Sequence, residues 1–151
     1  MSYFTAVLAR DSDKWFPRDV DLEGLESLDD LADALRAREV GDAEPVLAFI
    51  EREDSWWAVV RVDGDEDPRV FVSDVVGAAA STYSELLEII AADEEAGGLP
   101  GGCGGDIDLL ADLGSSPEEL QEMCDDEMLP MDALAAIAEA GGFAEVLDSL
   151  R

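Results

Sequence analysis

Residues 45–73, PVLAFIEREDSWWAVVRVDGDEDPRVFVS, decide the fold. Three runs rich in β-branched and aromatic side chains, Pro45 to Arg52, Ser55 to Val62 and Arg69 to Ser73, are separated only by Glu53-Asp54 and by the acidic stretch Asp63 to Pro68. That composition favours extended chain, and links this short force neighbouring strands to run antiparallel, since a parallel crossover needs about a dozen residues or more. In the middle run Trp56, Ala58, Val60 and Val62 fall on one face, and Trp57, Val59 and Arg61 on the other. Both faces are substantially apolar, which predicts a central strand covered on both sides.

Upstream, residues 3–10 (YFTAVLAR) read as a further strand that stops at Asp11-Ser12-Asp13, and Trp15 to Val20 as its hairpin partner. Pro17 lacks an N–H and suits an edge position. Ser27, followed by Leu28, Leu31, Ala32 and Leu35, predicts an amphipathic helix, with Asp30 at a capping-box position and an end near Arg38. Downstream, Tyr83 to Ala92 is a second candidate cover, with Thr82 and Glu85 as capping box and Leu86, Leu87, Ile90 and Ala91 as stripe.

From Asp93 to Gly105 the chain offers almost nothing to pack. Beyond it the apolar spacing is helical: Asp106 to Leu113 stopping at Gly114, a helix capped by Ser116-Pro117-Glu118-Glu119, one from Pro130 to Gly141-Gly142, and one carrying Phe143, Val146, Leu147 and Leu150. Helices this short must pack on each other or on the sheet. The expected class is α+β: an antiparallel sheet with packed helices over residues 1–92, a Gly-rich acidic linker at 93–105, and a small C-terminal helical subdomain at 106–151.

The chain holds 38 Asp and Glu against nine Lys and Arg, a formal charge of −29, and no histidine. Residues 1–69 contribute 19 acids and eight bases, net −11, and residues 70–151 contribute 19 acids and one base, net −18. Such a surface repels nucleic acid phosphates and anionic lipid and attracts basic proteins through salt-sensitive steering. With 48% apolar residues the chain nonetheless exceeds what charge-driven disorder retains. The opening MSYFTAVLARDSDKW shows no basic segment followed by a long apolar one, so a cytoplasmic location and two free thiols, Cys103 and Cys124, are expected. Cys124 falls on the apolar stripe with Leu120 and Met123, whereas Cys103 reads as the more exposed thiol.

Without imidazole no Ser-His or Cys-His nucleophile can be built, and neither a zinc-deaminase ligand set nor a Gly-x-x-x-x-Gly-Lys phosphate loop is present. Asp63, Asp65 and Asp67 imitate the start of a calcium loop, but Pro68 stands where its sixth position requires Gly. Trp56-Trp57 lacks the basic rim of a base-stacking platform and reads as core. No catalytic, metal-ligating or cofactor-binding residue is therefore assigned. The candidate partner-binding residues are the acids of the C-terminal helices, Glu118, Glu119, Glu122, Asp125, Asp126 and Glu127.

The opening MSYFTAVLAR with Trp15, the stretch DVDLEGLESLDDLADALR (19–36), RVFVSD (69–74), GDIDLLADLG (105–114) and LPMDALAAIAEAGGFAEVLDSL (129–150), in this order, resemble the actinobacterial tRNA adenosine deaminase-associated proteins. The resemblance implies a genomic association with the tRNA wobble adenosine deaminase and carries no catalytic residues. The expected function is a non-enzymatic acidic accessory or regulatory protein, its partner a basic protein such as a tRNA adenosine deaminase, without direct nucleic acid or membrane contact and without cofactor. The alternative is a nucleic-acid mimic occupying the basic surface of a DNA- or RNA-binding protein. A carboxylate-and-metal enzyme is a third reading, requiring three or more acids converging in one pocket.

Overall fold

A computed structural model of the chain describes residues 3–11, 14–18, 45–52, 56–63, 69–74, 103–105, 107–126 and 128–149. The fold is α+β. Strands β1 (Tyr3–Asp11), β2 (Lys14–Arg18), β3 (Pro45–Arg52), β4 (Trp56–Asp63), β5 (Arg69–Val72) and the two-residue β6 (Gly104–Gly105) make one sheet in the order β2-β1-β3-β4-β5-β6. Every neighbouring pair is antiparallel. Three helices follow: α1 (Pro117–Asp125), α2 (Pro130–Gly141) and α3 (Ala144–Ser149).

β4 lies between β3 and β5, the interior position that its two apolar faces require. β2 is an edge strand, and its Lys14 and Pro17 are exposed, a combination that discourages pairing with another chain. Register places Leu47 opposite Leu8 and Arg61, Phe49 opposite Ala6 and Val59, and Val59 opposite Phe71, so these residues share a face. That face packs with Leu109, Leu113, Leu120, Leu134, Ile137, Phe143 and Leu147 in one hydrophobic cluster. The C-terminal helices thus pack back on the sheet. Phe143 stands at the contact, its ring centroid 4.9 Å from that of Trp15 and 5.6 Å from that of Phe49. The other face, including Ala48, Ile50, Trp56, Val60 and Val72, is equally buried. The helices expected around Leu28 to Leu35 and over Tyr83 to Ala92 lie outside the described residues.

Two expectations need correction. Cys103, read as an exposed thiol in a linker, is fully buried, and the two glycines after it pair with Phe71 and Val72. A ladder this short needs only backbone groups, which glycine supplies, and cysteine behaves as a small hydrophobe. The first C-terminal helix is a set of turns ending in a single 3-10 turn, Ala111–Leu113. The Leu113 N–H reaches back to the Leu110 carbonyl at 2.9 Å, and the Leu109 carbonyl, the acceptor it would use in an α-helix, accepts from Arg61.

Helix boundaries follow local chemistry. Ser116 caps α1 in a complete capping box with Glu119, and Pro117 starts it without wasting an N–H. α2 begins at Pro130 and ends on left-handed Gly142, where the Phe143 N–H returns to the Ala138 carbonyl at 2.9 Å.

Gly114, at φ +101°, also marks a close approach: a Cβ there would lie 2.3 Å from the Ala140 carbonyl oxygen. Gly142 has φ +80° but open space around its Cα. Gly142→Ala is therefore expected to cost about 1 kcal/mol, from backbone strain alone. Gly114→Ala adds displacement of α2 and is expected to cost about 3 kcal/mol, with the difference read from denaturant midpoints of the two variants.

Candidate functional site

α1 turns Leu120, Met123 and Cys124 inward and leaves Glu118, Glu119, Glu122 and Asp125 exposed, with Asp126 exposed at its C-cap. Two of these carboxylates already have local work. Glu119 accepts from the Ser116 N–H and hydroxyl at 3.4 and 3.2 Å, and Asp125 accepts from the Gln121 amide at 3.1 Å. Glu118, Glu122 and Asp126, spaced four residues apart, form the outward stripe, and Glu127 lies outside the described residues. Like charges at this spacing oppose helix formation by about 0.2–0.5 kcal/mol per pair. The last turn holds no basic residue, so Glu122, Asp125 and Asp126 also face the negative end of the helix dipole. Glu122 and Asp126 are therefore not explained by the stability of their own helix.

Beside this stripe the chain exposes Met128 (37%), Leu129 (50%) and Met131 (57%), the large apolar side chains most open to solvent among the described residues. The buried face of α2 runs through Pro130, Ala133, Leu134, Ile137 and Ala138, leaving Met131 off it and next to the exposed Asp132. Helical spacing alone would have flagged Met131, but the sequence reading did not single out this corner.

The segment leading into α1 is tied to the sheet by charge. Arg61, its side chain 6% exposed, donates to the Leu109 carbonyl at 2.6 Å and to both carboxylate oxygens of Asp112 at 2.5 and 2.9 Å. Arg69 stands directly across the ladder from Arg61, and the Asp112 carboxylate feels both positive charges. Hydrogen bonding to Arg61 is the main reason the Asp112 carboxyl titrates below its ordinary 3.8.

Cys103 and Cys124 face one another in the cluster between β6 and α1, and the Cys103 Sγ lies 3.9 Å from Gln121 Oε1. Burial, above all, pushes both thiols above their usual range, which keeps them protonated and unreactive. Among the described residues no three His, Cys, Asp or Glu side chains converge to hold a metal ion, and no helix is long and apolar enough to cross a membrane.

Fold and surface together define an acidic α+β protein whose helices cover a sheet and turn carboxylates outward. The chain belongs to the Rv3753c-like tRNA adenosine deaminase-associated protein family, whose model matches residues 3–144. No curated protein and no solved structure matches it.

The buried member of the ion pair is Arg61, and Asp112 is 63% exposed, so removing the two partners has different consequences. Asp112→Ala takes the carboxylate from a buried guanidinium that keeps the Leu109 carbonyl, and is expected to cost about 1–3 kcal/mol, whereas Arg61→Met leaves a solvated carboxylate but takes the donor from the buried Leu109 carbonyl, a loss expected to cost about 1–3 kcal/mol. A carboxyl depressed in the folded state stabilises fully above its unfolded value and less as pH falls through its folded one. The Asp112→Ala penalty is thus expected to shrink below pH 3.8, measured by urea titration of wild type and variant in parallel.

Asp126→Lys replaces a repulsive contact with Glu122 by an attractive one and suits the dipole of α1. A gain of roughly 0.5–1 kcal/mol at low ionic strength, fading in high salt, is expected from thermal melts.

Proposed function

We propose that this chain is a non-catalytic cytoplasmic accessory protein that acts by direct contact with a tRNA adenosine deaminase or another tRNA-handling protein. Its family is described as deaminase-associated, and its own sequence contains no histidine from which a zinc deaminase site of the usual kind could be built. The observation that carries the reading is the outward carboxylate stripe Glu118, Glu122 and Asp126, together with Glu119, Asp125 and Glu127 in the same segment. A protein that binds tRNA must present Lys and Arg to phosphate, and an acidic module is the natural cover for that surface. Covering it would stabilise the enzyme before tRNA arrives or compete with tRNA for the same cations. A nucleic-acid mimic would draw on the same acids. Exposed Met128, Leu129 and Met131 have no counterpart on a phosphate backbone and favour a dedicated protein contact over mimicry.

Co-purification of the deaminase with this chain is expected at low ionic strength and should fade as salt rises. The triple variant Glu118→Lys/Glu122→Lys/Asp126→Lys is expected to bind at least about tenfold more weakly. Two folded proteins that fail to associate at low salt would overturn the reading.

A further inference from the structure

We infer that the corner between α1 and α2 is a docking surface in which Met128, Leu129 and Met131 receive an apolar side chain from a basic segment of a partner protein, with Asp125, Asp126 and Asp132 as its charged rim. The inference deepens the accessory-protein reading and rests on it for the protein nature of the partner.

Three large apolar side chains close in sequence are exposed here, whereas Leu120 and Met123 of α1 and Leu134 and Ile137 of α2 are buried in the cluster with the sheet. An apolar patch rimmed by charge is the usual anatomy of a contact site, its centre desolvated and its rim left in water. Methionine suits such a centre, because its unbranched, polarisable side chain adapts to differently shaped partners. Charge selects the occupant. A second copy of the chain would bring −29 against −29, whereas a segment bearing Lys or Arg around a Leu, Ile or Phe matches both features at once. An amphipathic basic helix presents that combination along one face.

The probe is a fluorescent peptide of Lys and Leu with the leucines at helical spacing, compared with one in which every Leu is Ser. Anisotropy titrations on the full chain should show tighter binding of the Leu peptide. Leu129→Ser/Met131→Ser, which touches only exposed side chains, is expected to erase that preference, a loss of roughly tenfold or more, while the far-ultraviolet circular dichroism stays native. Asp126→Asn/Asp132→Asn is expected to weaken both peptides and to flatten their salt dependence. Undiminished preference in Leu129→Ser/Met131→Ser would overturn the inference. So would dimerisation of the wild type that strengthens with salt and disappears in that variant, since the occupant would then be a second copy. Deaminase that co-purifies equally with Leu129→Ser/Met131→Ser would remove this corner and leave the accessory role standing. Peptide binding that behaves as expected without deaminase association would leave the corner and remove that partner.

Discussion

An antiparallel sheet with two apolar faces cannot stand in water, and the arrangement of the described residues follows from that constraint. Trp57, Val59 and Phe71 look one way while Trp56, Val60 and Val72 look the other, and all are buried. On the first side the cover is α1 to α3, which bury Leu120, Leu134, Ile137 and Leu147 against the sheet together with Phe143 between α2 and α3. Helices used this way turn mainly polar faces to solvent, with the corner at Met128, Leu129 and Met131 as the exception. In this chain those faces are made of carboxylates, so the hydrophobic requirement of the sheet and the display of negative charge are two sides of the same packing.

The two kinds of electrostatics in the molecule obey different rules. Inside, Arg61 is desolvated and bound to a carbonyl and a carboxylate with fixed geometry, so it holds the approach to α1 against β4 with little sensitivity to salt. Outside, the acids of α1 repel one another at a distance that salt readily screens. A cationic partner would relieve the second without disturbing the first.

Features governed by neighbouring residues were legible in the sequence. The three strands of residues 45–73, the edge position of the strand carrying Pro17, the Ser116–Glu119 capping box, the Pro130 start and the Gly142 stop all arise within a few residues of their causes. What escaped depends on distant partners. Nothing near Leu109 announces that its carbonyl will accept from Arg61, 48 positions away, and so the segment before Gly114 reads as α-helix although it is a 3-10 turn. Glycines at 104 and 105 look like filler until β5 offers them a ladder. The acids of α1 were visible as composition, but the exposure of Met128, Leu129 and Met131 emerges only once the seam with the sheet is known to exclude them.

The paired thiols of Cys103 and Cys124 sit where β6 meets α1, the closure between the sheet margin and its helical cover. Burial of both residues disfavours the thiolate at each sulfur. Each transient separation of strand and helix would hydrate both and let them meet an alkylating reagent. The molecule therefore carries its own clock for that event: the rate of thiol modification, set against that of an open cysteine, counts how often the lid lifts from the sheet.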